Sequence, residues 1–215
     1  MLDPEITFLN HGSYGACPIS VFDDYQKWQK ELEQQPVQFM TENLWKYLKR
    51  SRQYIGEYTN CPERDILLFP NPTTAVNNIF DNLHLSNGDE VLMTQHEYGA
   101  LVRAWSNASK KNKFKIVQQE ISMPVKTKGD FIDQFLSGVN SNTKVIFISH
   151  ITSQTALIFP VDEICKYAKK KDIITIVDGA HAPGHINLDL KKMNCDYYTG
   201  ACHKWLCAPK GVSFL

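Results

Sequence analysis

Asp178 and Lys204 are the residues whose types and setting point most directly to chemistry. Asp178 leaves the β-branched run Ile173-Ile174-Thr175-Ile176-Val177 and opens the loop Gly179-Ala180-His181-Ala182-Pro183-Gly184. An acid at the end of such a strand has little water around it and needs a cationic partner. Lys204 follows the next short strand pattern, in Gly200-Ala201-Cys202-His203-Lys204-Trp205, with small residues before it and apolar ones after. A partly desolvated lysine has a depressed pKa and can form a Schiff base. An acid at one strand end and a lysine at a later one suit pyridoxal phosphate: the acid keeps the pyridine nitrogen protonated and the lysine takes the aldehyde.

That cofactor also needs an anion site, a ring contact and a partner for its ring oxygen. Asn71-Pro72-Thr73-Thr74-Ala75-Val76 opens a helix after a strand, so free N–H groups and two hydroxyls form a cradle for phosphate. Gln95-His96-Glu97-Tyr98-Gly99, after the next strand, offers His96 and Tyr98 to cover the ring. Ser149-His150-Ile151-Thr152-Ser153-Gln154-Thr155 offers polar groups toward the ring oxygen or a substrate.

These loops must be held by a sheet. Short apolar runs at 66–69, 90–94, 115–119, 144–149, 173–177, 196–199 and 212–215 read as strands. Helical patterns at 74–83, 99–111, 130–139 and 161–171 alternate with them. The alternation predicts an α/β fold, a mostly parallel sheet covered by helices on both faces, with ligands at the carboxyl ends of the strands. Before residue 60 the chain reads as helical: Val21, Phe22, Tyr25, Trp28 and Leu32 share one face, and a second helix follows the Gln35-Pro36 break.

Composition narrows the function classes. Lys+Arg and Asp+Glu both number 23, which argues against a strongly basic nucleic-acid binder and is compatible with self-association. No apolar run approaches the ~18 residues of a membrane span. The first residues lack a basic n-region. Six cysteines without a CxxC pair point to free thiols and the cytoplasm. A nucleotide-binding fold is disfavoured, because no GxGxxG or GxxxxGK[ST] follows any strand.

Six segments in order, LNHGSYGACP, NPTTAVNN, HEYGA, SHITSQTA, VDGAHAPG and GACHKWLCAPKG, resemble the class V aminotransferase family, within it the isopenicillin N epimerase-like and cysteine desulfhydrase-like branch. The resemblance implies the three-layer α/β/α large domain of fold-type I pyridoxal-phosphate enzymes, over residues 61–215. It implies Lys204 as the Schiff-base lysine, Asp178 on the pyridine nitrogen and His181 near the ring oxygen. It also implies Thr73, Thr74 and His203 at the phosphate, Tyr98 over the ring in preference to His96, and Ser153 near the cofactor oxygen. Asn10, His11 and Gly12 would face an amino-acid substrate, with residues 1–60 contributing to that side and to a homodimer contact.

The chain departs from the family pattern in three ways. The C-terminal small domain with its carboxylate-binding arginine is expected to be missing from these residues, Gln38 stands where an arginine is common, and Ala201-Cys202 replace more usual residues. Leu215 falls inside a strand pattern, so a fragment of a longer protein is expected. Epimerisation, carbon–sulfur lysis and transamination stay open as outcomes. The rival reading is a catalytically inactive cofactor-fold fragment with a structural or dimerisation role.

Overall fold

The computed structural model of the chain describes residues 2–215. Its strands are β1 (Leu68–Phe69), β2 (Glu90–Thr94), β3 (Lys115–Gln119), β4 (Thr143–Ser149), β5 (Ile174–Asp178), β6 (Tyr197–Ala201) and β7 (Ser213–Phe214). They form one sheet in the order β1-β7-β6-β5-β4-β2-β3. β2 to β6 pair in parallel, and β7 lies antiparallel between β1 and β6. The expected mostly parallel α/β sheet is therefore present. The strands β1 and β7 are shorter than their apolar runs: Leu67 and Leu215 exchange backbone hydrogen bonds at 2.8 and 2.9 Å beyond the ladder.

The central strands are buried on both faces, which is why they read as near-continuous apolar runs. Their side chains alternate between two cores. Val91, Met93, Val145, Phe147 and Ile176 pack against α5 (Pro72–Asn82) and α6 (Gly99–Asn112), where Trp105 is the largest buried side chain. Leu92, Ile146, Ile148 and Val177 face the other way, onto α7 (Lys128–Leu136) and α8 (Val161–Lys170), through Phe131, Phe135 and Ile164. Period-two alternation with helices on each side makes the three layers.

Helix starts follow capping chemistry. The Asn71 side chain accepts from Thr74 N–H with Pro72 in the first turn, and Thr127 accepts from Asp130 N–H at the start of α7. The N-terminal region comprises α1 (His11–Tyr14), α2 (Ile19–Gln34), α3 (Pro36–Gln38), a π turn at Phe39–Asn43, and α4 (Leu44–Thr59). α2 buries none of its residues, and Tyr25, Trp28, Met40, Trp45 and Tyr54 stay exposed. No helix among the described residues is long and apolar enough to cross a membrane.

Strand order places the site. β3 lies outside β2 while β4 pairs on β2's other edge, so the chain reverses direction across the sheet between β2 and β4. The crevice beyond the carboxyl ends at such a switch is where open α/β sheets bind ligands. Ser149, Asp178 and Thr199 stand in register across β4, β5 and β6. Gly179 then turns the chain against the Tyr198 ring, where a Cβ would lie 2.2 Å from a ring atom. Gly179→Ala is expected to destabilise the fold by about 1–3 kcal/mol through overpacking, measured as a lower urea midpoint.

Candidate active site

A cavity of about 260 Å³ opens at these strand ends. Asp178, His181, His203, Lys204, Thr73, Tyr98 and Ser153 all line it, although they come from five separate segments of the chain. Three clefts are roomier: those of about 960 and 700 Å³ contain none of these residues and one of about 430 Å³ contains only Thr73, so size alone does not locate the chemistry.

Asp178 is buried and accepts a hydrogen bond from Ala180 N–H at 3.0 Å. Burial raises its pKa, against the lowering by that N–H and by Lys204. Desolvation lowers the Lys204 pKa, with Asp178 opposing it. No ion pair joins the two among the described residues. The cavity therefore has an acid and an amine on its wall, each short of a full counter-charge. Lys204 Nζ lies 3.1 Å from His181 Nε2, and the indole N–H of Trp205 donates to His181 Nδ1 at 3.3 Å. Burial, Lys204 and His185 push the His181 pKa down to about 4, so the ring is neutral at pH 7.

At the anion end the two threonines separate. Thr73 lines the cavity. Thr74 is exposed, and both its N–H and its hydroxyl donate to the Asn71 side chain at 2.8 and 3.1 Å, so its polar groups serve the helix cap. His203 donates Nδ1–H to the Val212 carbonyl at 3.1 Å, because a carbonyl can only accept. Its pKa is lowered by burial and by the lysines beside it, despite that hydrogen bond.

Tyr98 stands half-exposed on the cavity wall and caps α6, whereas His96 turns toward Phe159, its ring edge-on at 6.2 Å. Asn10, His11 and Gly12 do not line the cavity; Ser13 and Tyr14 do. Asn10 caps α1, His11 stacks on Trp205, and a Cβ on Gly12 would meet the Trp205 and His181 rings at 3.3 and 3.4 Å. Gly15, at φ +68°, passes so close to the Lys204 loop that a Cβ would sit 1.9 Å from the His203 carbonyl. Only glycine fits there.

Two residues of this architecture were not singled out by type or spacing. Glu97 is buried and collects three donors: the Thr94 hydroxyl at 2.6 Å, and the Ser149 N–H and hydroxyl at 2.8 and 2.6 Å. It ties the Tyr98 loop to the end of β4 across the switch. Burial outweighs those donors and raises its pKa to about 7. The signal that marked Asp178, an acid closing a buried strand, does not reach it, because β2 ends at Thr94 and Glu97 lies in the turn beyond. Trp205 carries no signal of its own beyond its place beside the lysine.

The family model for class V aminotransferases matches residues 16–215. The chain belongs to the class V aminotransferase family. Among its curated relatives, an isopenicillin N epimerase of Streptomyces clavuligerus is 32% identical over all of this chain and 54% of its own length. A probable chloroplastic L-cysteine desulfhydrase of Arabidopsis thaliana is 28% identical, over 99% of this chain and 48% of its own length. The chain thus spans about half the length of these relatives. By structure it resembles C-DES, described as a cystine C–S lyase. A lysine-to-alanine form of that protein, with glycine covalently linked to its PLP cofactor, superposes with a TM-score of 0.90 at 22% identity. That match covers 98% of this chain and 56% of C-DES, and it establishes a shared fold.

Two outcomes are expected from these geometries. A carboxylate whose folded pKa is raised favours the folded state fully below the unfolded value of ~4.3 and loses that advantage as pH rises through about 7. Relative to Glu97→Gln, the wild-type chain should therefore lose up to about 3 kcal/mol of unfolding free energy between pH 5 and 8. Urea unfolding at several pH values measures this; a pH-independent difference would contradict it. At His203, Nδ1–H is committed to the Val212 carbonyl, so an anion contact through Nε2 needs a second ring proton, which burial disfavours. Sulfate, whose own charge is constant over this range, should bind more tightly as pH falls from 8 to 6, and His203→Gln should flatten that dependence in calorimetric titrations.

Proposed function

We propose that this chain forms the cofactor-binding and catalytic part of a pyridoxal-phosphate-dependent enzyme acting on an α-amino acid, by carbon–sulfur lysis or by epimerisation. The observation that carries this reading is the convergence of Asp178, Lys204, His181 and Thr73 on one cavity. The donor set fits the cofactor. A buried carboxylate lacking a full counter-charge suits a protonated pyridine nitrogen, a desolvated amine suits an aldehyde, and Thr73 in the first turn of α5 suits a phosphate. When bound, pyridoxal phosphate supplies an electron sink that makes bonds at the substrate's α-carbon labile.

The chain's own residues then have distinct tasks. Asp178 keeps a proton on the pyridine nitrogen, because an ionised carboxylate in that dry position is satisfied only by a cationic donor. Lys204 would hold the cofactor through its aldehyde, and its amine is the group placed to take the α-proton as general base. Desolvation lowers its pKa, which favours the free amine over the ammonium. Thr73 and His203 hold the phosphate, Tyr98 covers the ring, and His181 and Ser153 serve the ring oxygen. The segment 10–12 acts on the substrate side through Trp205 and His181 rather than by lining the cavity. The relatives' printed activities, an epimerase and a cysteine desulfhydrase, support those two outcomes.

A second reading is a structural or dimerisation role without turnover. The exposed Tyr25, Trp28, Met40, Trp45 and Tyr54 on the N-terminal helices favour association with a second copy. Both readings predict a visible absorbance band on adding pyridoxal phosphate that Lys204→Ala lacks. They separate on L-cysteine and a panel of L-amino acids in D₂O. Sulfide release marks lyase chemistry, and an α-deuterated D-amino acid formed without release marks epimerisation. Neither, in a chain that has taken up the cofactor, leaves the structural role.

A further inference from the structure

We infer that Trp205 is a positioning residue: its indole N–H holds His181 as the neutral tautomer protonated on Nε2, and so compels its neighbour Lys204 to be a hydrogen-bond acceptor. This role rests on the pyridoxal-phosphate reading of the same site, yet it concerns atoms present in the cofactor-free chain.

Donor and acceptor inventories carry it. An indole nitrogen can only donate, so His181 Nδ1, 3.3 Å from Trp205 Nε1, must present a lone pair. A neutral imidazole with a lone pair on Nδ1 has its hydrogen on Nε2. That Nε2–H lies 3.1 Å from Lys204 Nζ. An ammonium there would set two donors face to face. Satisfying an ammonium on Nε2 and the indole on Nδ1 together would require a ring with no proton at all. The arrangement closes only when Lys204 is the free amine, accepting from Nε2–H. An imidazolium is excluded on the same ground, since its Nδ1–H would point at the indole N–H.

Trp205 is fixed well enough to impose this choice. The His185 ring stacks on it at 3.8 Å between centroids and 28° between planes, and the His11 ring lies near-parallel at 5.9 Å. Gly12 packs against its ring edge, and Gly184, at φ +86°, runs so close that a Cβ would lie 2.6 Å from the Trp205 backbone. The titratable groups facing the pair are Asp178 from the end of β5, His185, His11 from α1, and His203 beside the lysine. Asp178 alone favours a charged lysine. Trp205, acting through His181, opposes it. The device delivers a nucleophilic amine and aims an N–H at the same place.

The test uses the cofactor-free chain, ¹⁵N-labelled at histidine, with Trp205→Phe beside it. The substitution keeps an aromatic ring beside His185 and His11 and removes the donor, together with the ring edge that Gly12 meets. In the wild-type chain near pH 7, His181 Nδ1 should give a pyridine-like shift and Nε2 a pyrrole-like one. In Trp205→Phe the two should move toward each other as both tautomers populate. Reductive ¹³C-methylation of Lys204 should then report about tenfold less free amine at a fixed pH, a rise of about one pKa unit. A pyrrole-like Nδ1 in the wild-type chain overturns the inference, and that spectrum decides even where the variant fails to fold. An unchanged tautomer in a folded Trp205→Phe overturns it equally. Because no cofactor is added, failure to bind pyridoxal phosphate would leave this result standing, and the reverse holds as well.

Discussion

A carboxylate kept from water at the end of β5 is the constraint on which the rest of the site depends. Asp178 stands between Ser149 and Thr199 in a parallel register that no single loop could define. The sheet must be covered on both faces for that position to stay dry, and the two cores built on alternate strand residues do this. Gly179, denied a side chain by the Tyr198 ring, then turns the chain so that His181 comes beside Lys204. Burial leaves the acid poorly compensated, on the wall of a cavity that an amine also bounds.

Charge in the cavity is arranged so that no group is fully matched by another in the free chain. His181 is neutral, Lys204 leans toward neutrality, and His203 has its only assured proton committed to a backbone carbonyl. Glu97, on the far side of the switch between β2 and β4, carries the opposite arrangement: three donors and still a raised pKa. It fixes the loop that brings Tyr98 to the cavity, so its protonation bears on the geometry of a residue it does not touch through its side chain.

Much of this was legible in the sequence because buried parallel strands announce themselves as apolar runs, and because chemistry in such folds collects just after them. All seven strand positions and the four helices between them stand where the pattern puts them, with bounds shifted by a few residues. Local spacing was blind to direction. It did not distinguish Thr73, on the cavity, from Thr74, which turns to Asn71. Nor did it show that residues 10–12 would lie behind Trp205 with 13–14 in front. Glu97 and Trp205 escaped for the same reason: their partners, Ser149 and His181, are distant in sequence and are brought close only by the sheet.

The central claim is that Lys204, among all the lysines, is the one the fold sets apart for an aldehyde. Incubating the chain with pyridoxal phosphate, reducing with borohydride and mapping peptides by mass spectrometry tests this directly. The account predicts a pyridoxyl group on the peptide containing Lys204 at one equivalent of reagent, with surface lysines such as Lys169, Lys170 and Lys171 unlabelled. Label spread over the surface lysines with none on Lys204 would contradict it.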